Sequence, residues 1–188
     1  MSPPRVDLSF PHAWQAEILP ARPVILPTRN FVYPLQVEEV ERGALEVMVR
    51  PDAPNLPFLA TCALGFRDPV VPSGIWSTPN QHEICAVSGG YAYIIDTTAP
   101  TRFTMLPYRP VLQIVPAPAD GLLLFVGNRA ILAWSVKGEA WQSPKLSDEG
   151  VTILHVKNGR LLGMGWNMTT DKETQFELDL ESGQIVSP

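Results

Sequence analysis

The sequence predicts an all-β protein, and three observations carry that reading. The 188 residues include 20 prolines, roughly twice the usual ~5%. They recur every few residues as far as Pro118, and a proline removes a backbone donor and breaks a helix. Short apolar runs closed by turn residues also return at a fixed spacing. Finally, "TQFELDLES" alternates strictly: Phe176, Leu178 and Leu180 fall on one face of a strand, and Glu177, Asp179 and Glu181 on the other.

Taken in order, residues 1–30 read as an N-terminal cap or extension and 31–188 as repeated β units of one domain, long enough to build a core. Ser9 followed by "FPHAWQAEIL" has the form of an N-cap, a proline near the first turn and a short helix. "PVILP" reads as a strand that covers a sheet. Next comes "LQVEEVERGALEVMV", residues 35–49, with Val37, Val40, Ala44 and Val47 at helical spacing. Gly43 and the β-branched content favour a hairpin there; a helix, in an α+β arrangement, is the alternative. The loop "RPDAPNLP" and the strand "FLATCALGF" complete a faint first unit.

Three later segments align without gaps: "ICAVSGGYAYIIDT" from Ile84, "LLLFVGNRAILAWS" from Leu122 and "RLLGMGW" from Arg160, each start 38 residues after the last. Gly89, Gly127 and Gly165 fall at the same position in each, where a turn of positive φ or a close backbone approach is expected. The third copy carries the insertion "NMTTDKE". Each unit divides into four strands. The best reads "VLQIV", "GLLLFV", "RAILAWSV" and "AWQSPKL"; the last reads "VTILHV", "GRLLGMGW", "TQFELDL" and "QIVSP". Lys137-Gly138 and Ser182-Gly183 are hairpin signals.

About four antiparallel four-stranded units of ~38–45 residues resemble the blades of a β-propeller. The resemblance covers 31–188 and concerns the fold alone. The Gly-His and Trp-Asp signatures of the Trp-Asp-repeat family are absent, and no complete kelch or quinoprotein motif is seen. It implies a closed or an open, incomplete propeller with a binding surface at the blade ends; an open array exposes edge strands that invite pairing. It carries over no catalytic residue.

Composition narrows the function classes. With 14 basic and 19 acidic residues and a formal charge of -5, no basic face for nucleic acid is expected. No apolar run approaches the ~18 residues of a membrane span. "MSPPRVDLSFPHAW" lacks the apolar core of a signal peptide, so a soluble, cytoplasmic protein is expected. Cys62 and Cys85 are then expected as buried free thiols.

Candidate sites begin with "HEIC", which gathers a histidine, a carboxylate and a thiol. His82 and Cys85 are three residues apart at a strand start, so alternation separates them, and Cys85 lies in core composition. The stretch reads as a strand start. His12, His82 and His155 show no metal spacing, and no catalytic residue, metal ligand or cofactor is assigned. The acidic row at Glu177 reads as a solvated strand face. Trp76 stands in the proline-rich loop 67–81, either as a contact residue or folded back into the core.

The expected function is a non-enzymatic binding or protein-interaction module, with another protein or a small molecule as partner. The candidate binding residues are Arg67, Asp68, Trp76 and His82 around that loop, and Asn167 at the inserted turn 167–173. One alternative is a hydrolase using His82 or His155 with Asp68 or Asp96. Another is a homodimeric scaffold joined through edge strands.

Overall fold

The computed structural model describes residues 3–35 and 42–186. Among them every long element is a strand, and the chain divides into two compact units, Met1–Pro110 and Val111–Pro188. The strands form four small sheets, none of them closed on itself. No described helix is long and apolar enough to cross a membrane.

The first unit holds β1 (Arg5–Asp7), β2 (Trp14–Leu19), β3 (Asn30–Tyr33), β4 (Ala44–Pro51), β5 (Phe58–Ala63), β6 (Gly74–Ser77), β7 (Glu83–Ser88), β8 (Tyr91–Asp96) and β9 (Phe103–Met105). One sheet runs β2-β4-β5-β3 and the other β1-β6-β7-β8-β9. Alternation builds the core between them. Val47, Val49, Phe58, Ala60 and Cys62 meet Ile75, Ile84, Ala86, Tyr93 and Ile95. Burying each large side chain of this kind is worth about 1.5–3 kcal/mol. The two buried phenols keep hydrogen bonds: Tyr33 donates to the Pro100 carbonyl at 2.7 Å and Tyr93 to that of Ala63 at 3.0 Å.

The second unit holds β10 (Gln113–Ala117), β11 (Leu122–Val126), β12 (Ile131–Ser135), β13 (Gly138–Gln142), β14 (Val151–Lys157), β15 (Arg160–Asn167) and β16 (Lys172–Asp179). They form the meanders β10-β11-β12-β13 and β14-β15-β16. Leu124, Val126, Ile131 and Ala133 pack with Leu161, Phe176, Leu178 and Leu180, so the alternation expected for "TQFELDLES" is observed. Gly183, at φ +70, lies under the Trp141 ring, and the Trp141 indole donates to the Leu180 carbonyl at 2.8 Å.

Several expectations need correction. The short N-terminal helix is β2: Trp14, Ala16 and Ile18 turn toward the core, and Gln15 and Glu17 to solvent. Period two, visible in "WQAEIL", prevails because β4 offers a partner for every residue. Over 35–49, Ala44–Pro51 is strand rather than helix; residues 36–41 lie outside the described residues. The sheets are not wholly antiparallel, since β3 pairs with β5 and β1 with β6 in parallel. They hold four, five, four and three strands, not four each. Of "QIVSP", the described residues 184–186 form no named strand: Ile185 makes an isolated bridge to Leu178, flanked by backbone bonds from Asp179 to Gln184 and from Val186 to Glu177.

The aligned glycines are not equivalent either. Gly89 is a turn residue at φ +54, and a Cβ there would collide with the Phe66 carbonyl. The Gly127 amide closes its turn onto the Ala130 carbonyl at 3.1 Å. Gly165 lies inside β15, where a Cβ would strike the Leu146 carbonyl.

Candidate functional site

The residues expected to bind do not converge. Arg67 and Asp68 are exposed ahead of β6; Arg67 donates to the Arg42 carbonyl at 2.7 Å, and Asp68 accepts the Val70 amide at 2.9 Å. His82 is exposed beyond the other end of β6, its ring 3.3 Å from the Gln81 amide. The strand itself separates the two groups. Trp76 is no loop residue: it sits within β6, opposite Cys85, only 1% exposed. Of its two expected placements the core one holds, because β6 needs apolar residues on both faces.

Asn167 spends its side-chain oxygen on its own turn, accepting the Thr169 and Thr170 amides at 3.0 and 3.1 Å. It lines a groove of about 540 Å3 beside Trp166 and Lys145. Asp96, named for a hydrolytic pair, accepts from Thr98, Ala99 and Arg102 and caps the turn after β8. Burial alone would raise its pKa; the Thr98 hydroxyl, Arg102 and the two amides more than offset that and lower it. His155 lies exposed on β14. Among the described residues no three His, Cys, Asp or Glu side chains gather to hold a metal ion.

Both cysteines are free and buried, and burial is the first cause pushing each thiol well above its ordinary range. They are placed for packing rather than nucleophilic attack.

A different site emerges from the edges of the first unit. Among the described residues β2 ends one sheet and β1 ends the other. Between them opens a groove of about 770 Å3, walled by Val6 and Pro4 on one side, Ala16 and Ile18 on the other, and Leu45 and Leu64 at one end. Ser73 and Ser88 also line it. Ser88 is the last residue of β7 and shares the core-facing side with Ile84 and Ala86. It is 0% exposed, and its hydroxyl has no hydrogen-bond partner among the described residues. Ser73 accepts the Gly89 amide at 2.9 Å, which ties the floor of the groove to the β7–β8 turn.

The ladder shows what the groove walls offer. Asp52 donates to the Ala13 carbonyl at 2.9 Å, in register with the β2–β4 pairing. Gln15, Glu17 and Leu19 therefore bond to β4, while Ala16 and Ile18 turn their N–H and C=O away from it. On the facing wall Arg5 donates to the Ser73 carbonyl at 2.9 Å, so Val6 turns its backbone away from β6. Among the described residues the charged ones lining it are Glu17 and Glu46. Glu46 is 5% exposed and accepts from Thr61 at 2.7 Å.

Reading by sequence missed this site. The available signal was the alternation of "WQAEIL", which marks a strand, but nothing local reveals that the strand is an edge. No protein-family model matches the chain, and no curated protein matches its sequence.

Proposed function

We propose that the chain is a binding module and that the groove between β1 and β2 is its binding site. One observation carries this reading: the Ser88 hydroxyl, fully buried and without a partner among the described residues, lining a mostly aliphatic groove. A buried hydroxyl left unsatisfied costs about 1–3 kcal/mol, and a ligand that bonds to it removes the cost. Sites for small ligands and peptide side chains combine this apolar lining with a few polar groups that fix orientation. We read the four sheets as blade-like units of the β-propeller kind; the meanders β6–β9 and β10–β13 support this.

The test is a methyl NMR titration with N-isobutylacetamide, which pairs an aliphatic body with one peptide group. Shifts concentrated at Val6, Ile18, Leu45 and Leu64, and reduced in Ser88→Ala, are the expected result. Shifts scattered over the surface, or unchanged by Ser88→Ala, overturn the reading.

A further inference from the structure

We infer that the natural occupant of this groove is an extended segment of a partner polypeptide, bearing a basic side chain and added as a strand to the edge of β2. The inference rests on the groove being the binding site and names what fills it.

The backbone geometry selects an extended chain. Ala16 and Ile18 present their N–H and C=O groups two residues apart, a repeat of roughly 6.8 Å along a strand. Only another strand meets such a row in register; a compact small molecule reaches one rung and leaves the next to water. The edge is also poorly defended. Pro20 stops the ladder beyond Leu19 and Glu17 puts one charge on the strand, but no proline or bulge interrupts β2 itself, two of the usual protections of an edge. Strand addition to an open edge takes its affinity from main-chain hydrogen bonds and its specificity from alternate side-chain pockets.

The alternation of β2 dictates the alternation of its guest. Guest residues level with Ala16 and Ile18 enter the space between the sheets, toward Val6, Leu45 and Ser88. Apolar side chains suit it, with a threonine or serine where the Ser88 hydroxyl waits. Guest residues level with Glu17 lie on the other face, beside that carboxylate. Glu17 already meets Arg50 at 3.2 Å, but both are largely exposed, and a surface pair of this kind holds weakly. With Glu17 and Glu46 as its charged lining residues, the groove favours a lysine or arginine and repels an acidic guest.

The experiment is selection of random octapeptides on phage against the full chain, followed by titration of synthetic copies of the enriched peptides by fluorescence anisotropy. Enriched peptides are expected to alternate apolar residues with at least one lysine or arginine. Methylating their backbone nitrogens in turn should weaken binding tenfold or more at every second residue and leave the residues between unaffected. Ile18→Pro, which removes an N–H that β4 does not use, should weaken it comparably. The peptide methylation scan stands alone should that variant fold poorly. Exchange of the basic residue for glutamate should also weaken binding tenfold.

Failure to enrich any peptide, indifference to methylation in both registers, or equal binding of acidic peptides overturns the inference. So does a concentration-dependent dimer that Ile18→Pro abolishes, since the occupant is then a second copy of the chain. If N-isobutylacetamide still shifts the groove methyls while no peptide binds, the groove remains a binding site and only its occupant has been misassigned.

Discussion

Thr61 and Glu46 stand directly opposite each other on β5 and β4, both buried, and the Thr61 hydroxyl donates to the Glu46 carboxylate across 2.7 Å. A carboxylate shielded from water depends on such a donor. Thr61→Val preserves the shape and removes the bond. It is expected to cost about 1–3 kcal/mol in urea denaturation, and Thr61→Ser, which keeps the hydroxyl, clearly less. Equal losses in the two variants would show that packing of the methyl group matters more than the bond.

The two buried indoles of the first unit make a paired test. Trp14 donates to the Glu83 carbonyl at 3.0 Å, whereas the Trp76 nitrogen has no partner among the described residues. Trp76→Phe therefore sheds an unsatisfied group along with some packing, and Trp14→Phe breaks a bond. We expect Trp14→Phe to be the more destabilising by about 1 kcal/mol in thermal melts. A larger loss for Trp76→Phe would mean that its nitrogen is satisfied in solution.

Gly165 tests the second unit. The Leu146 carbonyl passes so close that a Cβ on residue 165 collides with backbone, which cannot swing aside as a flexible side chain can. Gly165→Ala should cost upward of about 2 kcal/mol. Gly121 supplies the comparison: it sits at φ +64 with open space around its Cβ position. Gly121→Ala should cost about 1 kcal/mol from backbone strain alone. Similar melting temperatures for the two variants would remove the steric account of Gly165.

These three sites show how far the sequence could be read. Period-two alternation and apolar runs exposed β4, β5, β7, β8 and β10 to β16 because their partners are near in sequence and each strand's pattern is set by the core it faces, whereas β6 and β9 went unread. The turns at Gly89 and Gly183 were visible for the same local reason. Trp76 was not, because proline, serine and glycine surround it while its burial depends on strands formed later in the chain. Gly165 fulfils the close-approach half of its expectation, but the repeat offset could not name what approaches, a segment nineteen residues earlier passing overhead. Ser88 carries no local mark at all. Its importance comes from what fails to reach it, and absence of a distant partner has no signature in spacing.

The Asp96 carboxylate gives a pH test. Its folded pKa lies below the ordinary value, despite burial, because Thr98, Arg102 and two amides bond to the charged form. A depressed folded pKa stabilises the native state fully above the unfolded value, near ~3.9. The contribution disappears as pH falls through the lower folded value. Asp96→Asn should be about 1 kcal/mol less stable than the parent at pH 7, and the gap should close as the medium is acidified below pH ~4. A gap independent of pH would assign the loss to turn geometry rather than charge.

Thiol chemistry reports on the whole first unit. Cys62 and Cys85 are both fully buried, with thiolate formation suppressed by burial. In native buffer at pH 8 a disulfide reagent such as dithionitrobenzoate should react slowly and release both thiols only on denaturation. Prompt release of one equivalent from the native chain would mean that β5 or β7 opens readily.

The parallel seating of β1 against β6 has a consequence for the ribosome. Residues 5–7 leave the exit tunnel well before residues 74–76, their docking partner. Phe10 likewise waits for Ser77, whose hydroxyl receives its amide at 2.9 Å. At ~5–20 residues added per second, β1 spends several seconds without its seat while the β4–β5 hairpin behind it is already available to form. β1, made before β6, thus cannot lock into this unit until β6 has followed it. Until they do, the wall that β1 supplies to the groove is missing, and a nascent chain exposes the edge of β2 more fully than the finished protein does.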